Sequence, residues 1–418
     1  MLKKRARFSE VVRTTFSVRR RKVFSAFPES GLQEFRRHGI LYHAHRGDNH
    51  GKSKSLFHRY AGSSGRAEPP AETRRTDQRA GIDSIDFQDR FAAIKIHFGE
   101  AGNLSFLRPN FARTVADEIK KRGGRPFLTD CNTLYVGSRK HALEHIETAY
   151  LNGFSPYATG CHVIIGDGLK GTDDVAVPVP NGQLVHEAKI GRAIMDADII
   201  LSLNHFKGHE MTGFGGAIKN LGMGCGSRAG KMEQHCDGKP TVDRSLCIGC
   251  HACARICAHN APTFRDGKAE IDHSRCVGCG RCIGVCPKDA IQPSWGQKEG
   301  LIDKKMAEYA LAVVHGRPNF HISIVMDVSP FCDCHPENDA PIVPDVGMFA
   351  SFDPVALDQA CADAVNRCTP NPGSLLAESA VHTGDHFHDV SPSTNWRIQL
   401  EHAEKIGLGV REYELVRL

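Results

Sequence analysis

Residues 197–204 read ADIILSLN, a short apolar run with His205 next in the chain and His209 four residues beyond that. A run of this length that does not alternate with polar residues marks a strand covered on both faces, as strands inside a parallel sheet are. Four further segments share this character: FAAIKIHF at 91–98, 126–130, 162–166 and HISIVMDV at 321–328. Helical patterns fall between them. Residues 111–122 place apolar side chains at 111, 115 and 119 and stop at Gly123-Gly124; residues 138–152 stop before Gly153. Residues 351–366 open on Asp353-Pro354, an N-cap followed by proline in the first turn. Strand and helix alternate from about Gly81 onward, which predicts an α/β domain with a mostly parallel sheet.

The alternation breaks between 241 and 293. Eight of the 16 cysteines lie there in two runs, Cys247-x2-Cys250-x2-Cys253-x3-Cys257 and Cys276-x2-Cys279-x2-Cys282-x3-Cys286, the second followed by Pro287. This spacing wraps a bacterial-type [4Fe-4S] cluster, with three thiolates from one loop and the fourth from the other run. The expected sets are Cys247, Cys250, Cys253 and Cys286 for one cluster, and Cys276, Cys279, Cys282 and Cys257 for the other. Zinc would bring two Cys-x2-Cys pairs together, which a fourfold run repeated twice does not match. Disulfides belong to oxidising compartments, and no hydrophobic signal segment opens the chain. Gly249, Gly278, Gly280 and Gly284 let the backbone close around each cluster. The segment therefore predicts an inserted ferredoxin-like α+β module, itself an internal repeat, whose folding is coupled to its cofactor. It divides the α/β domain into 81–240 and 294–418.

With 40% hydrophobic residues in 418 and no run of the roughly 18 to 20 apolar residues that a membrane span requires, the chain reads as a soluble, cytoplasmic protein. The formal charge of +5 hides an asymmetry. Residues 1–80 hold 19 Lys and Arg against 7 Asp and Glu, a net +12, leaving 34 against 41, a net −7, for the remainder. This head has no cysteine and no sustained period, and reads as a basic, disordered segment or a stretch outside the folded protein. A transit peptide would be shorter, and a nucleic-acid-binding arm would carry aromatics arranged for stacking.

The body resembles a bacterial and archaeal family of iron-sulfur proteins catalogued as domain of unknown function 362. The motifs that carry the resemblance are AIKIHFGE at 93–100, FLTDCNTLYVGSRK at 127–140, NHFKGHEMTGFGGAIKNLGMGCGSRAGK at 204–231, the two cysteine runs, and CDCHPENDAPIVPDVGMFASFDPVALD at 332–358. The resemblance implies an α/β domain carrying a ferredoxin module and names no substrate. It also implies a strand and helix ahead of Ile82, where this chain has the basic head, so the first strand of the sheet is expected to be missing. Ala258 stands after Cys257 where the second run has proline.

Outside the cysteine runs, His205-x3-His209 would put two imidazoles one turn apart on a helix, and Cys332-x-Cys334-His335 adds two thiols. Together His205, His209, Cys332 and Cys334 form a candidate mononuclear site for zinc, iron or nickel. The alternative is that the histidines bond a turn and the cysteines are small buried residues. Asp130, Cys131, His162, Asp167, His205 and Asp327 all fall at expected strand ends, where open α/β sheets place ligands. Seven glycines between 213 and 230, with Lys219, Arg228 and Lys231, suit either an anion cradle or a tightly turning loop beside the insert. Cys225 and Cys236 read as structural, and Asp173-Asp174 as a solvated turn. No nucleophile elbow is present. The sequence thus predicts a two-cluster electron-transfer protein that passes single electrons between a redox partner protein or low-potential carrier and its α/β domain. The alternative is an oxidoreductase with a second metal or substrate site at the strand ends, and a third reading makes the clusters structural supports of a binding module.

Overall fold

The computed structural model describes residues 53–59, 81–135, 137–236, 239–293, 300–337 and 339–417. Eight strands form one sheet: β1 Ser53–Arg59, β2 Phe91–Lys95, β3 Arg125–Asp130, β4 His162–Ile165, β5 Ile199–His205, β6 Asn319–Val325, β7 Gly347–Ser351 and β8 Tyr413–Arg417. Their order across the sheet is β8-β1-β7-β6-β5-β2-β3-β4. Only β7 runs antiparallel to its neighbours; the other pairings are parallel. The fold is therefore α/β on a mostly parallel sheet, and each of the five segments expected as strands supplies one. β5 is buried at every position, as its unbroken apolar run requires.

Among the described residues seven longer helices pack on the sheet or on one another: α1 Pro109–Lys121, α2 Ala142–Leu151, α3 Ala217–Cys225, α4 Arg228–Cys236, α5 Leu301–Val314, α6 Pro354–Asn366 and α7 Arg397–Ile406. Alternate strand residues divide two cores. Ala93, Phe127 and Ile200 face α3, α5 and α6, while Ile94, Leu128 and Leu201 face α1 and α2. The Asp353 carboxylate accepts from Val355 N at 2.8 Å and Ala356 N at 3.0 Å, which fixes the start of α6 where Asp353-Pro354 places it. α2 begins later than its sequence pattern, because Ser138 N donates to Glu100 Oε1 at 2.6 Å and draws the preceding residues into a buried ion-pair network instead.

Two expectations are corrected. Within the supposedly disordered head, Ser53–Arg59 is a strand, antiparallel to β7 and parallel to β8. Backbone pairing on both sides supplies order that no helical or alternating period in the head predicted. The rest of the head lies outside the described residues. The glycine-rich stretch at 213–230 is not a single loop but the end of a hairpin followed by α3 and the start of α4. Gly222 shows why glycine is needed on α3: a β-carbon there would lie 2.1 Å from Met306 O on α5.

Between α4 and α5, strand Pro240–Val242 pairs antiparallel with Ile291–Pro293 and closes a small lobe. Inside it are a hairpin, Pro262–Arg265 with Lys268–Ile271, and two short helices, Ala252–Ile256 and Arg281–Gly284, one on each cysteine run. The lobe's core joins Cys247, Cys253, Ala269, Ile283, Ala290 and Ile291 to Leu134 and Met232 of the main domain. Among the described residues no helix is long and apolar enough to cross a membrane.

Candidate redox chamber at the sheet edge

Parallel strands end on one edge, and here Lys95 closes β2, Asp130 closes β3 and His205 closes β5. β5 and β6 are adjacent, with His205 paired to Ile324, so the loop after β6 returns over the end of β5. A second hairpin, Lys207–His209 with Gly213–Gly215, crosses the same edge. Gly208 N donates to Ser329 O at 2.8 Å, and a β-carbon on Gly208 would lie 2.3 Å from Pro330 O, so only glycine lets hairpin and loop meet. The buried Asp358 carboxylate receives the first N–H groups of α3, Ala217 N at 2.7 Å and Ile218 N at 2.9 Å, and aims Lys219 and Asn220 at the edge. These elements enclose a chamber of about 480 Å³.

Its floor is an ion-pair network. Lys95 Nζ lies 3.0 Å from Asp130 Oδ1 and donates to Asn220 Oδ1 at 2.6 Å. Arg139 Nε pairs with Glu100 Oε2 at 3.0 Å, and its Nη1 reaches His97 Nε2 at 2.9 Å. Burial opposes ionisation of Asp130, yet Lys95, with His145, His97 and Lys231 behind it, holds that carboxyl well below the usual range. Burial, reinforced by Arg139, lowers the His97 pKa to about 3, which keeps the ring neutral.

The wall carries side chains that could hold a metal. His335 N bonds Cys332 O at 3.1 Å, a turn that brings both thiols to one side. His209, Cys332 and Cys334 offer donor atoms within 4.8 Å of one another, and Glu210, Cys334 and His335 form a second such group. Met211 N donates to His209 Nδ1 at 3.1 Å, which orients the ring and puts the proton of the neutral imidazole on Nε2, 3.6 Å from Glu210 Oε1, so a metal would take this ring only by displacing that proton or the Met211 bond. Burial opposes ionisation of Cys332, but the Cys334 thiol, Lys207 and Lys219 outweigh it and hold Cys332 well below the usual thiol range; the bond from Cys334 and burial push Cys334 above it.

The four-residue site expected from sequence is corrected on two counts. His205 and His209 do not share a helix: one ends β5 and the other ends the following hairpin strand. His205 also faces away from the donors, with Nδ1 on Asp333 Oδ2 at 2.8 Å and Nε2 on Met326 O at 2.9 Å, so neither nitrogen is open to a metal. Asp333, between the two cysteines, is the residue that holds it. Of the other strand-end residues, Cys131 lines the chamber, whereas Asp167 accepts from Asn132 at 2.8 Å and Asp327 pairs with Arg108 at 2.7 Å. Asp173 pairs with Arg192 at 3.1 Å, and Asp174 begins a short strand. Cys225 is buried on α3, and the Cys236 side chain lies outside the described residues. Sequence reasoning passed over Lys95, His97, Arg139 and Lys207; the signal available was a lysine and a histidine inside an apolar strand, KIHF at 95–98.

In the small lobe, Cys247, Cys250, Cys253 and Cys286 line one hollow. Ala269 N points at Cys247 Sγ at 3.4 Å and Ala290 N at Cys286 Sγ at 3.3 Å, donors of the kind that stabilise thiolate sulfur. Burial, then the neighbouring Cys279, Cys276 and Cys253, pushes the Cys282 thiol up to about 12, so the second run gathers beside the first. Arg228 of α4 reaches this run. It is buried, its Nε has no hydrogen-bond partner, and a β-carbon on Gly284 would collide with its guanidinium. Leu134 belongs both to the lobe's core and to the chamber wall.

The family profile described as "Domain of unknown function (DUF362)" matches residues 92–363. This chain belongs to that family. The matched span holds both the chamber and the cysteine lobe. No curated protein matches the chain. Among solved structures it is similar to a Thermotoga maritima protein from a structural genomics consortium, with TM-score 0.36 and 12% identity over 68% of this chain and 56% of that one. It is also similar to the lactate racemase apoprotein of Thermoanaerobacterium thermosaccharolyticum, with TM-score 0.35 and 10% identity over 79% of this chain and 75% of that one. The chain thus spans little more than half of the first of these, 56% of its length. At these scores no feature of either protein transfers to this member of the family.

Proposed function

We propose that this protein is a cytoplasmic iron-sulfur oxidoreductase whose inserted ferredoxin-like lobe is the electron port and whose strand-edge chamber is the reaction site. Cys247, Cys250, Cys253 and Cys286 would hold one [4Fe-4S] cluster, and Cys276, Cys279, Cys282 and Cys257 the other. One-electron exchange is the chemistry such clusters supply when bound. In the chamber His209, Cys332 and Cys334 would hold a mononuclear metal, three protein ligands with a position left open, the pattern of catalytic rather than structural sites.

The observation that carries this reading is the shared wall. Leu134 and Met232 pack into the lobe's core, Leu134 also lines the chamber, and Gln292 and Pro293 of the lobe's closing strand line it as well. A carrier that only shuttled electrons between partners would have no use for a chamber on the inner side of its cluster lobe. The outer side suits the donor: Cys250 is exposed, and so are Ile248 and Val277, which hold the same position in the two runs. The chain's own residues do the remaining work. Lys95, Asp130 and Arg139 fix the floor, Asp333 anchors His205 and with it the turn of Cys332, and Lys207 and Lys219 stabilise negative charge on Cys332 sulfur at 3.8 and 3.6 Å.

The test is metal and spectroscopic analysis of anaerobically purified protein. The reading expects reversible reduction of the lobe and a chamber metal whose spectrum changes when the lobe is reduced. A lobe that cannot be reduced, or that binds zinc, would remove it.

A further inference from the structure

We propose that the chamber binds a small organic oxyanion, a carboxylate or a phosphate ester, between the ammonium groups of Lys207 and Lys219. The proposal takes the chamber to be a reaction site, as above, and adds the chemical class of what enters it.

Five cations line the chamber: Lys95, Arg139, Lys207, Lys219 and Lys231. Two are already matched, since Lys95 pairs with Asp130 at 3.0 Å and Arg139 with Glu100 at 3.0 Å. Lys231 donates to the backbone carbonyl of Gly226 at 2.6 Å, and no described carboxylate lies within ion-pair distance of it. Lys207 and Lys219 differ from all three, because the partner each has is the same atom, Cys332 Sγ, at 3.8 and 3.6 Å. The chamber's other carboxylates hydrogen-bond histidines, Asp333 to His205 at 2.8 Å and Glu210 to His335 at 3.1 Å, and their charge reaches Lys207 from beyond ion-pair distance.

A divalent metal on Cys332 and Cys334 would consume the thiolate charge that both ammonium groups share, leaving Lys207 the more distant charge of Asp333 and Glu210 and Lys219 no ion pair among the described residues. Lys207 is buried and Lys219 half-buried, and two ammonium groups that share one sulfur beside a chamber make a ready site for a mobile anion. Two ammonium groups converging on one region suit an oxyanion with two or three oxygens better than a halide, because each can take its own oxygen. At about 480 Å³ the chamber lies within the range of small-metabolite pockets, about 300 to 1,000 Å³. The N-terminus of α3 is no rival anion site, because the Asp358 carboxylate already occupies it.

The experiment is calorimetric titration of the full-length, cluster-loaded protein under anaerobic conditions with succinate, citrate and inorganic phosphate, and with uncharged succinamide as control. We expect at least one anion to bind and succinamide not to. The carboxylate and phosphate arms separate the two sources of the oxyanion. Lys219→Gln should weaken binding at least tenfold, Lys219→Arg should keep most of it, and Lys207→Gln together with Lys219→Gln should abolish it. Lys219 is only half-buried, so its variants keep the test open if Lys207→Gln fails to fold, which a circular dichroism melt would reveal. Absence of binding by all three anions, or binding unchanged in Lys219→Gln, overturns the proposal. The same samples, reduced and followed by electron paramagnetic resonance, separate it from the wider reading: an anion that binds through Lys219 yet never alters or reoxidises the reduced lobe supports this site and removes electron delivery to it.

Discussion

The chamber and the cysteine lobe are built in opposite ways. On the chamber floor, charge is locked by the chain itself: Lys95 pairs with Asp130 and Arg139 with Glu100, all almost wholly buried. The lobe has a core of a few small residues, two cysteines among them, completed by Leu134 and Met232 from the other domain. One region is preorganised by side-chain bonds, whereas the other gathers thiols and backbone N–H groups around a hollow. On the proposed reading the lobe's order would depend on the clusters it binds, whereas the chamber floor is held by the chain itself.

The largest expected effect breaks that contrast directly. Stripping iron with a chelator under air should open the lobe to protease at sites within 241–293 while the main domain stays intact. Limited proteolysis with mass spectrometry reads this, and equal protection of both regions would contradict it. Next, Asp130→Ala leaves Lys95 as a buried cation without its carboxylate and should destabilise the main domain by about 3 to 5 kcal/mol, measured by denaturant unfolding, with little change in iron content. A loss below about 1 kcal/mol would mean that the network is not what holds the chamber.

How much of this was legible in the sequence follows the same division. The strands were readable because β5 and β6 are covered on both faces and their largely apolar runs suit a buried position in a parallel sheet. The cysteine spacing gave the expected ligand sets, and Cys247, Cys250, Cys253 and Cys286 of the first set line one hollow. The chamber was half-legible. Cys332 and Cys334 were found because strand ends collect ligands, and their neighbour Asp333 was missed because its role depends on which way a turn points. His205 was misjudged for the same reason: spacing says how far apart two histidines are in the chain, not which partners claim their nitrogens. β1 was missed because a segment flanked by β7 and β8 can be held by backbone pairing on both sides without any pattern of its own.

Two smaller effects sharpen the comparison where the regions meet. Arg228→Gln removes a buried positive charge beside the second cysteine run and should make the potential of the cluster there more negative, on the order of 50 mV, in a redox titration. An unchanged potential would leave Arg228 a packing residue only. The smallest effect concerns pH. Burial raises the Asp358 pKa to about 7 from 3.8, although the N–H groups of Ile218 and Ala217 pull the other way. The folded state therefore holds this proton more tightly than the unfolded state, so the contribution to stability is complete below about pH 4 and is lost as pH rises toward 7. Asp358→Asn should flatten the stability slope between pH 5 and 8 by about 1 to 2 kcal/mol relative to the parent, and an identical slope in both would contradict the assignment.

The central claim, that one chain carries an electron port and a separate metal-bearing chamber, is tested most directly by counting metals in anaerobically purified parent and Cys332→Ala proteins. The account predicts about eight irons and about eight inorganic sulfides per chain in both, together with one further metal ion in the parent that Cys332→Ala loses. A parent with no metal beyond its clusters, or a Cys332→Ala protein that loses cluster iron instead, would contradict it.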